Sequence, residues 1–146
     1  MRYIPVDTDQ KGLAKICAMK CKCPEFIEPN SSIGIYDTKK QLLVGGVTYT
    51  SYTKREIWTS IWIDDKKSLT KHILKTIFGY AFDEDKCGVY RITTNTKADN
   101  KASIKLQLKL GFKNEGRMRR YFGDDPADDA IIMGMLKDEC RWIKHG

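Results

Sequence analysis

The stretch NKASIKLQLKLGF, residues 100–112, contains a helix signal with both its start and its stop. Asn100 is a residue type that caps helix N-termini, and Gly111 stands where a left-handed residue commonly ends a helix. The sequence therefore predicts a helix over 101–110. Three lysines recur every four residues along it and form one basic face, the usual arrangement of a solvated surface: Lys101, Lys105 and Lys109.

The segments on either side of this helix alternate between strand and helix patterns. Upstream, the pattern predicts a helix over 7–22 capped by Asp7 or Thr8, a loop at 23–31, strands at 33–36, 42–53 and 56–63, a helix over 69–81 capped by Ser68 or Asp65, and a strand at 90–94. Downstream, it predicts strands at 113–122 and 130–136 and a helical tail at 137–143. This order is typical of a mixed α/β fold, with one mostly antiparallel sheet flanked by helices.

Length and composition predict one soluble domain over residues 1–146. Hydrophobic residues make up 41% and charged residues 31%, a mixture that excludes a disordered chain. No apolar run reaches the roughly 20 residues that a membrane-spanning helix needs. The first residues lack an apolar stretch of signal-peptide length, so we expect a cytoplasmic protein without a membrane partner.

The net charge of +7 favours an anionic partner. Positive charge is concentrated between Lys97 and Arg120, and four aspartates follow between Asp124 and Asp129. A nucleic-acid-binding module is one reading of this segment. However, it carries no recognised motif, and Phe112 is the only aromatic residue among its basic residues.

The five cysteines are predicted to be reduced and unpaired, as in most cytoplasmic proteins. Cys17, Cys21 and Cys23 are closely spaced. Neither His72 nor His145 supplies the second pair of ligands that zinc sites usually have. We therefore predict no metal site.

Residues 100–119 resemble the "N-x-x-S…K-L-G-F" and "x-x-E-G-x-x-R" segments of GNAT N-acetyltransferases, in particular those of the ribosomal-protein acetyltransferase branch. The segments at 80–82, 90–92 and 129–136 resemble a helix end and two strands of the same branch. The resemblance spans residues 33–143 in order and spacing. It implies the GNAT fold and transfer of an acetyl group from acetyl-coenzyme A (acetyl-CoA) to an amine: a protein N-terminus, a lysine or a small amine.

The resemblance also implies a set of cofactor-binding residues. The family's pyrophosphate loop, "Q/R-x-x-G-x-G/A", corresponds to residues 65–70, where Ser68 and Thr70 replace both glycines. A loop before a helix offers free amide hydrogens to a diphosphate, so we expect such amides between residues 64 and 71. The implied cofactor-binding residues are Trp62, Ile63, Asp64, Lys66, Lys67, Ser68, Leu69, Thr70, Asn100 and Ser103.

Acetyl transfer to an amine needs a base for the amine and an acid for the leaving thiolate. Gln107 stands where many family members have a tyrosine, and an amide cannot act as the acid. Glu56 is a candidate base acting through water, with a solvated residue near a turn as the alternative. Tyr121 is the acid we select, and Tyr49 and Tyr52 are further candidates.

Three readings stay open at this stage. The chain is an active acetyltransferase, a GNAT-like domain that has lost catalysis and binds or supports a partner, or a basic nucleic-acid-binding module. The changes at Ser68, Thr70 and Gln107 are the observations behind the second reading. The acceptor pocket is expected from loops such as 23–31 and 122–129, and both monomer and homodimer remain open.

Overall fold

The computed structural model describes residues 1–143. In chain order, the helices and strands of this part are β1 Tyr3–Val6, α1 Gln10–Cys21, β2 Asn30–Asp37, β3 Leu42–Thr50, β4 Glu56–Ile63, α2 Lys71–Phe82, β5 Arg91–Lys97, α3 Lys101–Leu110, β6 Lys113–Met118 and β7 Ala130–Leu136. No helix among the described residues is long and apolar enough to cross a membrane.

All these strands belong to one sheet in the order β1-β2-β3-β4-β5-β7-β6. Each neighbouring pair is antiparallel except β4 and β5, which run parallel. The predicted fold class, a mostly antiparallel sheet flanked by helices, is therefore confirmed. The predicted strand at 90–94 extends to Lys97, because β7 pairs with β5 along its whole length.

Several predicted boundaries are wrong for local reasons. Strand β1 was not predicted, since it has only four residues and includes Pro5. Helix α1 begins after Asp9, whose carboxylate accepts from the amide of Gly12 at 3.1 Å, so neither Asp7 nor Thr8 is its cap. The predicted strand at 113–122 ends at Met118, and Arg120 has φ 54° in the turn that follows. The tail forms only a short 3-10 turn, Lys137–Glu139.

The ends of α2 and α3 show why these two helices were recognisable. Thr70, rather than Ser68 or Asp65, caps α2 by accepting from the amide of Ile73 at 3.2 Å. Gly111 ends α3 with φ 112°, which confirms the predicted left-handed C-cap. The apolar face of α2 is buried, as its periodicity predicted: Ile73, Leu74, Ile77, Phe78, Ala81 and Phe82.

The two faces of the sheet carry different helices. Helix α1 packs over β2, β3 and β4. Helix α2 packs on the other face, where the hydroxyl of Tyr49 donates a hydrogen bond to the carbonyl of Ile77 in α2 at 2.7 Å. Gly45 and Gly46 of β3 lie beside a bulge, where the β2–β3 register shifts after Ile35. A Cβ on Gly46 would lie 2.7 Å from Nε1 of Trp62, so glycine lets that indole cross the strand.

An ion pair with a buried carboxylate ties the residue before β1 to the β2–β3 hairpin. The guanidinium of Arg2 donates to both oxygens of Asp37, each at 3.0 Å, and the amides of Lys39 and Lys40 donate to the same carboxylate. The Arg2 guanidinium, followed by these amides, lowers the pKa of Asp37 from 3.8 to about 2. The carboxylate therefore favours the folded state only while it is ionised.

We expect the free energy of unfolding to fall as the pH drops from about 4 towards 2. The sign follows because the pKa is lower in the folded state, so the unfolded chain takes up the proton first. Urea titrations of wild type and Asp37→Asn across this range test the prediction. The variant should be less stable at pH 6, and the difference should shrink towards pH 2. A difference that stays constant with pH would contradict it.

Candidate active site

Strands β4 and β5 separate part-way along their length and open a cleft in the middle of the sheet. They pair only between Glu56–Trp58 and Arg91–Thr93. Beyond these residues β4 stays with β3 as far as Ile63, while β5 stays with β7 as far as Lys97. The gap, here called the strand cleft, has a volume of about 200 Å³.

The walls of the strand cleft come from β4, β5 and the start of α3. Most of the lining belongs to these elements: Thr59, Ser60, Ile61, Trp62, Ile63, Thr94, Asn95, Thr96, Lys97, Asn100, Ala102, Ser103, Leu106 and Gln107. Lys20, Cys21, Cys23, Asp64, Lys66 and Phe122 complete it. The predicted residues at 62–64, Lys66, Asn100 and Ser103 thus meet at one cleft, whereas residues 67–70 are not in its lining. The sequence analysis did not predict that Thr59 and residues of β5 line the cleft.

The backbone edge of β4 that faces the cleft follows from the pairing with β3. The amide of Asp64 donates to the carbonyl of Val44 at 2.8 Å. Antiparallel residues alternate between bonded and non-bonded pairs, so Trp62 also points its backbone groups at β3. Ile61 and Ile63 point theirs at the cleft. Of the predicted backbone contacts, only that of Ile63 therefore has the right orientation.

The loop before α2 does not present the free amides that the sequence predicted. The amides of Lys67 and Ser68 donate to Asp65, at 3.0 Å each, and that of Thr70 donates to the carbonyl of Ser68 at 2.9 Å. The hydroxyl of Ser68 is buried and donates to the carbonyl of Asp65 at 2.6 Å. The prediction is wrong for these amides, because the Asp65 carboxylate and the backbone carbonyls of Asp65 and Ser68 already accept from them.

Gln107 forms the floor of the strand cleft and is 4% exposed. Its carbonyl oxygen accepts from the hydroxyl of Thr94 at 2.5 Å, and its amide donates to Thr96 at 2.8 Å and to Ser103 at 3.1 Å. The residue that replaces the family's tyrosine thus joins α3 to β5. Asn100 caps α3 by accepting from the amide of Ser103 at 3.2 Å.

Thr59 marks the point where the two strands part. Its side chain is 3% exposed, and its hydroxyl has no hydrogen-bond partner within residues 1–143. Leaving such a group unpaired costs about 1–3 kcal/mol. The cleft-facing backbone groups of Ile61 and Ile63 are available to a molecule bound in the cleft, whereas the hydroxyl of Thr59 is closed off from solvent.

A second space, here called the loop chamber, adjoins the strand cleft and has a volume of about 610 Å³. Two loops and the central strands line it: Cys23, Pro24, Glu25, Phe26, Ile27, Thr50, Ser51, Trp58, Ser60, Asn95, Tyr121 and Phe122. Cys23, Ser60, Asn95 and Phe122 line both spaces. The two spaces are therefore adjacent along these residues.

The proposed catalytic residues fall in different places. Tyr121 lines the loop chamber, whereas Tyr49 is buried with its hydroxyl on Ile77 and Tyr52 donates to the carbonyl of Cys87 at 3.0 Å. Glu56 lines neither space. It accepts a short hydrogen bond from Thr93 and lies 3.4 Å from the guanidinium of Arg91, so it braces the closed end of the β4–β5 pair.

The thiols at the end of α1 lie against the cleft. Cys17 donates to the carbonyl of Ser60 at 3.5 Å and Cys21 to that of Ile61 at 3.6 Å. The neighbouring Cys21 thiol lowers the pKa of Cys17, whereas the Cys17 thiol and burial raise the pKa of Cys21. Burial raises the pKa of Cys23 to about 11, so this thiol is protonated at neutral pH. No cluster of metal-binding side chains is found among the described residues.

A model of the acetyltransferase (GNAT) domain family matches residues 34–126. The chain belongs to the GNAT acetyltransferase family. The predicted family, the enzyme class and acetyl-CoA as the donor are thereby confirmed for this GNAT chain, as is an amine as the general class of acceptor. The likeness to the ribosomal-protein branch stays a prediction. No curated protein sequence matches the chain.

Solved structures share this GNAT fold at low sequence identity. A chimera of the spermidine N-acetyltransferase SpeG from Vibrio cholerae and hSSAT is 14% identical with a TM-score of 0.71, covering 99% of this chain and 100% of that one. The V. cholerae enzyme in complex with CoA and spermine is 14% identical with a TM-score of 0.66, and the match covers 98% of this chain and 99% of that one. A dodecameric structure of the V. cholerae enzyme is 14% identical to this chain with a TM-score of 0.70, and the match covers 94% of this chain and 95% of that one. At such identity the likeness shows the fold alone.

Proposed function

We propose that the protein holds acetyl-CoA in the strand cleft and transfers its acetyl group to a primary amine in the loop chamber. The observation that carries this proposal is the meeting of the two spaces at Ser60 and Asn95. Acetyl-CoA supplies the activated thioester. The chain supplies two separate entries to one point, so that an amine can approach the thioester without displacing the donor.

Support for the donor site comes from the polar groups along the cleft. The cleft-facing backbone of Ile61 and Ile63 is oriented to hydrogen-bond the amides of the pantetheine arm. Lys66 lines the cleft and offers positive charge to the phosphates.

The amides of residues 67–70 are already engaged and are not available to bind the diphosphate. The amides of Lys71 and His72, in the first turn of α2, have no acceptor in the described part of the chain. We propose that these amides and the side chains of Lys66 and Lys67 bind the diphosphate. The hydrogen bonds within residues 65–70 prevent the amides of residues 67–70 from binding the diphosphate as well.

For the chemistry, we propose Tyr121 as the proton donor to the leaving thiolate, since it is the one of the three candidate tyrosines that lines the loop chamber. The bracing role of Glu56 leaves it no direct access to the amine. We further propose that residues 1–146 act as one domain in the cytoplasm, as a monomer or homodimer. The nucleic-acid reading is weakened, because Lys97, Lys113 and Arg117 pair with carboxylates.

Acetyl-CoA is expected to raise the melting temperature by several degrees, because a ligand present at a hundred times its Kd stabilises the folded state by about 2.7 kcal/mol. A thermal-shift titration measures this effect. Release of CoA thiol in the presence of a panel of amines then measures transfer. Absence of a shift at millimolar acetyl-CoA would overturn the donor site, and a shift without thiol release would favour the non-catalytic reading.

A further inference from the structure

The lining of the loop chamber differs from that expected for a polyamine. Four aromatic side chains, Phe26, Trp58, Tyr121 and Phe122, surround it together with Pro24 and Ile27. Ile27 and Tyr121 are also among the large hydrophobic side chains that are exposed to solvent. Apolar side chains exposed around a concave site are typical of a binding pocket for an apolar body.

Carboxylates are scarce in the same lining. Among the described residues 1–143, Glu25 is the only acidic residue in this lining, and no lysine or arginine belongs to it. An ammonium group that is buried without a partner is costly. A polyamine that gives up one neutral amine to the reaction still brings further ammonium groups, and the lining offers a carboxylate to one of them.

The loop that carries Tyr121 and Phe122 does not make up for this scarcity. Arg119 and Arg120 precede the two aromatic residues and Asp124 and Asp125 follow them, so these charges cancel. The next two aspartates are engaged, Asp128 with Lys97 at 3.2 Å and Asp129 with Arg117 at 2.7 Å. With a net charge of +7 on the chain, no field draws a polycation to this opening.

We propose that the acceptor is a primary amine carried on an aromatic or branched apolar body, and that polyamines are poor acceptors. This inference rests on the proposed function, since it assigns the loop chamber to the acceptor. The chamber's volume of about 610 Å³ lies within the range of sites for small organic ligands. Free arylalkylamines and peptides with an aromatic N-terminal residue share the required chemistry.

The test compares three probes: 2-phenylethylamine, a tripeptide that begins with phenylalanine, and spermidine. Steady-state CoA release gives kcat/KM, and calorimetry on the protein saturated with CoA gives the Kd of each amine without turnover. We expect an aromatic probe to exceed spermidine by about tenfold or more in both measurements, the difference that one well-buried apolar group makes. The better of the two aromatic probes identifies the source of the amine.

Two variants of Tyr121 distinguish the contact that its ring makes in the chamber wall from the role of its hydroxyl as a proton donor. Tyr121→Ala should weaken binding of the preferred aromatic amine by about tenfold, whereas Tyr121→Phe should keep it, because the ring provides the contact. Tyr90→Ala is the matched control. Tyr90 is 52% exposed against 46% for Tyr121, stacks on Arg55 and lies outside the chamber, so its loss should leave binding unchanged.

Two outcomes would overturn the inference: spermidine binding as tightly as the aromatic amines, or Tyr121→Ala behaving like Tyr90→Ala. Failure of the proposed function looks different. It would show as absent turnover with every probe, while the calorimetric comparison of aromatic amines with spermidine still decides the chemistry of the chamber.

Discussion

An Ala102→Trp variant is expected to bind acetyl-CoA about a hundredfold more weakly than wild type, a loss of about 2.7 kcal/mol. Ala102 is exposed and lines the strand cleft from the first turn of α3. An indole at this position would take up much of a space of about 200 Å³. Because the site is at the surface, the side chain can be enlarged without disturbing the core, and stability should change by less than about 0.5 kcal/mol.

Calorimetric titration with CoA measures the loss, and Lys101→Trp provides the control. Lys101 is the adjacent exposed residue of the same helix turn and is absent from the cleft lining. It therefore receives the same indole without obstructing the cleft. Equal affinities of the two variants would show that the donor lies elsewhere and would remove the basis for the proposed reaction.

Gln107→Leu is expected to lower the free energy of unfolding by about 2–4 kcal/mol, since buried polar groups that lose their partner cost about 1–3 kcal/mol each. Leucine has a similar size but cannot accept from Thr94 or donate to Thr96 and Ser103. These hydroxyls lie in the floor of the strand cleft. The variant should therefore also bind acetyl-CoA more weakly, because α3 is no longer anchored to β5.

Urea unfolding of Gln107→Leu and of Leu108→Gln tests this assignment. Leu108 is the next residue of the same helix and is 51% exposed, so the reverse exchange there should change stability by less than about 0.5 kcal/mol. Unchanged stability in Gln107→Leu would mean that the network contributes nothing net. Gln107 would then replace the family's tyrosine without stabilising the fold.

The helix and strand signals were readable where they are local. The apolar periodicity of α2 and the cap residues of α3 depend on residues within a few positions of each other, and both helices were predicted, although the N-cap of α2 is Thr70 rather than Ser68 or Asp65. Strand β1 was missed because its four residues around Pro5 gain their strand conformation only from pairing with β2. The loop at 65–70 was misread because Asp65 accepts from the amides of Lys67 and Ser68, and the hydroxyl of Ser68 also donates to the carbonyl of Asp65.

The amino-acid sequence alone determined the α/β class and the order of the elements from α1 to β7, since these follow from periodicity and turn signals, and its short motifs indicated the family. The tertiary structure decided which groups face one another: the parting of β4 from β5 at Thr59, the edge of β4 that faces the cleft, and the place of Glu56 outside it. These depend on strand neighbours that lie far apart along the chain, as Glu56 and Arg91 do. Such pairings have no local signal, because each strand would look the same beside another partner.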